Sequence, residues 1–117
     1  MSTIRSERIN KSVAQELNDI IRNVKDPRVS QSYVTINSAE VTNDLKLAKI
    51  FFGCITGDPN EVKKGLYSAR GFLRSELARR LNLRQTPELS FYHDDGAERG
   101  ARIARILNEI DEGNKEG

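Results

Sequence analysis

An α+β layer fold, three strands in a sheet with helices packed on one face, is what this sequence predicts. Three observations lead to it. Apolar residues recur at three- and four-residue steps in three stretches, the core-facing period of a helix. Three other runs are rich in β-branched and aromatic residues or alternate in polarity, as strands do. The two kinds follow one another as helix, strand, strand, helix–bend–helix, strand, helix, within 117 residues that suffice for one modest core and not two. A single domain over residues 1–111 is expected, with 112–117 as a short polar tail.

The first helix is expected over about residues 5–24, where Ile9, Val13, Leu17, Ile20, Ile21 and Val24 form the apolar stripe. Glu7 and Lys11 sit one turn apart on its outer side, in the favourable order. Lys25-Asp26-Pro27-Arg28 ends this helix, because the proline pushes Asp26 out of the α region. A structural Asp26–Arg28 clamp across the turn is favoured over a catalytic role. Strands are expected over 33–41 and 46–55, joined through Thr42-Asn43-Asp44 as an antiparallel hairpin. Phe51 and Phe52 are neighbours and therefore point to opposite faces. One belongs in the core; the other packs against a covering element or serves as a stacking platform. Cys54 is expected as a small buried hydrophobe.

Gly57-Asp58-Pro59-Asn60 breaks the chain, and a helix begins near Pro59, where a first-turn proline is tolerated. The bent helix pair over 63–84 follows and is stopped by Thr86-Pro87. Residues 88–93 form the third strand, with Leu89 and Phe91 on one face and Ser90 and Tyr92 on the other. Asp94-Asp95-Gly96 supplies a turn before a last helix over about 97–110, with Ile103, Ile106, Leu107 and Ile110 inward and a salt-bridged exterior.

Val62, Leu66, Ala69, Leu73 and Leu77 make the stripe of the bent pair, and Gly71 stands in its middle. Glycine inside a helix costs about 1 kcal/mol against alanine, so it asks for a reason. A bend between two helices is one; close approach of a partner to the backbone is another. Lys63, Arg70 and Arg74, at i, i+7 and i+11, would line one side of the bend. The net charge is only +2, but between residues 62 and 85 seven bases (Lys63, Lys64, Arg70, Arg74, Arg79, Arg80, Arg84) face one acid, Glu76. Acids crowd the C-terminal end instead. Such asymmetry makes a positive face at small net charge, and arginine forks suit phosphate oxygens. Arg5, Arg8, Lys25 and Arg28 would extend that face. The plainer alternative is a kinked core helix whose arginines are merely solvated.

One cysteine excludes an internal disulfide, and a lone Cys54 with a lone His93 argues against zinc. The charged N-terminus lacks the apolar run of a signal peptide, and no stretch nears the roughly 20 apolar residues of a membrane span. A soluble, cytoplasmic monomer is expected. An enzyme built on His93 with Asp94 and Asp95 is disfavoured, because adjacent residues at a strand end do not converge on one point.

Several segments in order are similar to the bacterial ribosome-binding factor A proteins. They are Arg5 and Arg8, Lys25-Asp26-Pro27-Arg28, Ala39-Glu40-Val41-Thr42, Asp44-Leu45 and Ala48-Lys49. Gly71-Phe72-Leu73-Arg74, Leu81-Asn82-Leu83-Arg84 and Pro87-Glu88-Leu89-Ser90-Phe91 with Asp94 complete the set. The resemblance implies a type II KH-like domain in which an Ala-x-Gly kink, here Ala69-Arg70-Gly71, replaces the usual Gly-x-x-Gly loop. It implies a non-enzymatic assembly factor, without cofactor, that binds 16S rRNA in the free 30S subunit and assists its late maturation and processing. The RNA contacts would be Lys63, Lys64, Ala69, Arg70, Gly71, Arg74, Arg80 and Arg84 around the kink, with Arg5, Arg8, Lys25 and Arg28 beside them. The alternative is an adaptor whose basic helices dock an acidic partner, such as another assembly factor or a maturation GTPase.

Overall fold

A computed structural model describes residues 3–94, with side chains from residue 7. The expected last helix and the polar tail lie outside the described residues. Helix α1 (Thr3–Ile20) passes into a 3-10 turn (Ile21–Asn23), after which Val24 adopts extended backbone. Val13, Leu17, Ile20, Ile21 and Val24 are buried, as the spacing requires. The Lys25–Arg28 segment is more than a stop signal. Pro27 opens a further single-turn helix, α2 (Pro27–Ser30), capped by Asp26, whose carboxylate accepts the Arg28 amide at 3.0 Å. The expected clamp is present as well: the Arg28 guanidinium reaches Asp26 at 2.7 and 3.1 Å.

The sheet is ordered β1 (Val34–Val41), β2 (Leu47–Cys54), β3 (Glu88–His93). Strands β1 and β2 form the expected antiparallel hairpin, with a register shift between Ile36 and Ser38. Asp44 organises its turn, accepting from the Thr42 hydroxyl at 2.6 Å and the Lys46 amide at 3.1 Å. Strand β3 lies parallel to β2, from Leu47 opposite Glu88 to Phe52 opposite His93. A parallel pair needs a crossover, which α3 (Pro59–Ser68) and α4 (Arg70–Leu81) supply.

Ile36, Ala39, Ala48, Ile50, Phe52, Leu89 and Phe91 form the buried face of the sheet, packed with the helix residues Leu17, Leu66, Leu73 and Leu77. Phe52 is fully buried, whereas Phe51 points the other way and stacks on Tyr92 at 5.6 Å between centroids. Cys54 is half-buried, less enclosed than expected; desolvation and the neighbouring Asp58 charge push its thiol pKa up. Helix α3 starts at Asp58, which accepts the Asn60 amide at 2.9 Å. Helix α4 ends at Asn82, in left-handed conformation (φ 52°, ψ 47°), so the chain turns before Thr86-Pro87 is reached.

Both edges of the sheet are met by helix side chains. On β1, Asn18 accepts the Ile36 amide at 3.1 Å and donates to its carbonyl at 3.3 Å, while Asn10 accepts the Val41 amide at 2.9 Å. On β3, the Phe91 amide donates to the Tyr67 hydroxyl at 3.1 Å.

Candidate nucleic-acid interface

The joint between α3 and α4 lies at Ala69 (φ −91°, ψ 5°), two residues before Gly71. The Ala69 amide closes α3 onto the Gly65 carbonyl, and its own carbonyl receives the Leu73 amide, each at 3.0 Å. A methyl side chain cannot cap, so among the described residues the first turn of α4 has no side-chain cap hydrogen bond. Gly71 sits in that turn, exposed, without positive φ, and a Cβ added there would meet no atom within 4 Å outside its own helix among the described residues. Neither the bend nor the packing therefore requires glycine at this position. The close-packed glycine is Gly65, where a Cβ would approach Val29 Cγ2 to 2.9 Å and Arg28 Cβ to 3.1 Å, because α2 lies directly against α3.

The cations have different partners. Arg74 faces the start of β3, donating from Nε to the Pro87 carbonyl and from Nη2 to the Thr86 carbonyl, both at 3.0 Å. Arg80 bridges to α1, pairing with Glu16 at 3.3 Å and more closely with Asp19. The Arg80 hydrogen bond holds the Asp19 carboxyl below the ordinary aspartate range, and Asp19 in turn raises Arg80. Arg28 and Asp26 shift each other in the same directions through their own hydrogen bond. Lys63 places its ammonium 5.9 Å from the Tyr92 ring centroid, a loose cation–π contact. Lys64 meets Glu61 at 3.6 Å in an exposed pair that holds it weakly.

Of the expected line along one side of the bend, Lys63 thus lies by the Tyr92 ring, Arg74 is held on the Thr86 and Pro87 carbonyls, and Arg70 is exposed. Arg8, Lys25, Arg70 and Arg84 are exposed and make no ion pair among the described residues. Arg5 falls on α1, and its side chain lies outside those described. Lys25 stands across from the joint: a groove of about 350 Å³ is lined by Asn23–Asp26 on one side and by Ser68, Ala69 and Phe72 on the other. Phe72 has no role in the sequence reading, yet it is 42% exposed beside the joint. The available signal was its position, an aromatic one residue off the Leu66–Ala69–Leu73–Leu77 stripe. His93 lies with its ring 5.6 Å from that of Phe52, and among the described residues no cluster of His, Cys, Asp or Glu could hold a metal. No described helix is long and apolar enough to cross a membrane.

A sheet with one antiparallel and one parallel pairing, crossed over by two helices that meet at a bare-backboned joint, defines a small KH-like domain. The family model for ribosome-binding factor A matches residues 5–107, and the chain belongs to that family. It is 46% identical over 106 residues to ribosome-binding factor A of Methylobacillus flagellatus, covering 90% of this chain and 83% of the relative. The solution structure of a ribosome binding factor A from Thermotoga maritima, described as putative by its investigators, superposes with a TM-score of 0.69 at 28% identity, over 84% of this chain and 94% of that one. The Thermus thermophilus factor, as fitted into the cryo-EM map of a 30S complex, has the same fold, with a TM-score of 0.64 at 20% identity, over 74% and 92%.

Proposed function

We propose that this protein binds the free 30S ribosomal subunit through immature 16S rRNA and assists late maturation by binding alone, without catalysis. Membership of the ribosome-binding factor A family supports this reading, as does the 30S complex of the Thermus factor. The observation that carries the RNA contact is the joint. There, Gly71 leaves the α4 backbone open to an approaching strand, and the unpaired Arg70 and Lys25 flank it. Arg8, Lys25, Arg70 and Arg84 hold phosphates in this reading, with the loosely held Lys63 and Lys64 recruited beside them and Arg5 extending the face along α1. Arg28, Arg74 and Arg80 shape the surface through their carboxylate and carbonyl partners.

Such a protein acts by stabilising one conformation of the rRNA and leaves when the mature form no longer fits. Phosphate contacts supply affinity; RNA shape and unpaired segments supply selectivity. Co-sedimentation with small subunits, large subunits and whole ribosomes across a salt series tests this. Salt-sensitive binding confined to small subunits, with a slope shallower by roughly 0.7–0.9 per cation removed in Arg70→Ala and Lys25→Ala, is expected. Equal binding to every particle would overturn it, and association that survives ribonuclease would point to an acidic protein partner instead.

A further inference from the structure

The groove beside the joint has the chemistry of a site for a single nucleotide. Its volume, about 350 Å³, is at the small end of the range for ligand clefts. Apolar surface comes from Val24, Ala69 and the exposed ring of Phe72. Polar surface comes from the Asn23 amide and the Ser68 hydroxyl, neither of which makes a hydrogen bond among the described residues. An amide and a hydroxyl each both donate and accept, which matches the mixed edge of a nucleobase and suits no purely apolar side chain. Lys25 supplies an unpaired cation at the same groove, within reach of the phosphate a nucleotide would bring. The one carboxylate in the lining, Asp26, is held on both oxygens by Arg28 and so does not present a bare negative charge to that phosphate.

We propose that this groove takes one unpaired base of a single-stranded RNA segment, stacked on Phe72 and hydrogen-bonded at its edge by Asn23 and Ser68. The inference rests on the RNA-binding reading above and deepens it. Phosphate contacts at the joint tolerate any backbone; a stacked base requires a segment that has not yet paired. The site would therefore read the folding state of the RNA, since a nucleotide already in a helix cannot enter it.

The test compares a short mixed-sequence oligoribonucleotide with an abasic ribose-phosphate strand of equal length, by fluorescence anisotropy at several salt concentrations. Wild-type protein is expected to bind the intact strand roughly five- to hundredfold more tightly than the abasic one. Phe72→Ala should cut that difference severalfold, Asn23 and Ser68 keeping their edge contacts, while the salt dependence of abasic-strand binding stays that of wild type. The chain contains no tryptophan, so Phe72→Trp introduces one that can be excited apart from the three tyrosines; intact strand should quench it and abasic strand should not. Equal, salt-dependent affinity for both strands in the wild type would overturn the base site and leave the phosphate reading standing. Absence of salt-dependent binding to either strand would overturn both.

Discussion

A methyl group added at Gly65 would come within 2.9 Å of Val29 Cγ2, whereas one added at Gly71 would meet open space among the described residues. These two glycines sit in the same helical stretch and answer to different partners. At Gly65 the partner is the chain itself: the branched Val29 side chain has little freedom to yield, so Gly65→Ala should lower stability by roughly 1–3 kcal/mol through overpacking. At Gly71 the partner is the RNA of the proposed reading. Gly71→Ala should raise stability by roughly 0.5–1 kcal/mol, by helix propensity, while weakening small-subunit binding. Thermal melts paired with co-sedimentation separate the two. A Gly71→Ala protein that is more stable and binds as well as wild type would remove the backbone of the joint from the interface.

At the scale of elements, the helices and strands announce themselves because each buries a periodic face. Leu17 and Leu73 are buried where the spacing puts them, whereas the alternation of β2 leaves Phe51 and Phe52 as alternatives and packing selects Phe52. Helix α2 escaped because four residues carry no period; only Asp26-Pro27 marked it, and that pair reads equally as an end and a beginning. Helix α4 ends at Leu81, before the Arg84 that the sequence predicts, because Asn82 stops it with backbone conformation rather than with a proline. The candidate site was legible as a place, the Ala69–Gly71 joint, but not as a list of contacts. Counting bases along the chain treats Arg70, Arg74 and Arg80 alike. Their partners come from elsewhere: the Thr86 and Pro87 carbonyls for Arg74, and Asp19, 61 residues away, for Arg80.

That last pair ties α4 to α1 and makes an acid-sensitive brace. Asp19 is depressed in the folded protein, so its contribution is complete above the ordinary aspartate value and is lost as the pH falls through the depressed one. Acid unfolding of wild type should therefore steepen below the ordinary aspartate range. Asp19→Asn and Arg80→Met should each be less stable at neutral pH and lose less stability as the pH falls below the ordinary aspartate value. Coincident acid profiles for all three proteins would show that the brace contributes nothing.

At the scale of the whole fold, the sheet of the described residues has three strands and so two edges, with a single strand between them. An open edge is a template on which any extended chain can zip, including another copy of this one. Here Asn10 and Asn18 occupy the backbone groups of β1 at Val41 and Ile36, and Tyr67 occupies that of β3 at Phe91. Asn18→Leu would free the amide and carbonyl of Ile36 while keeping the side-chain bulk. Light scattering at rising concentration should then show self-association that wild type lacks; a variant as monodisperse as wild type would mean the edge is guarded by other means. In the proposed cycle of binding and release the protein spends part of its life off the subunit, and there these three side chains would act as stoppers against polymerisation.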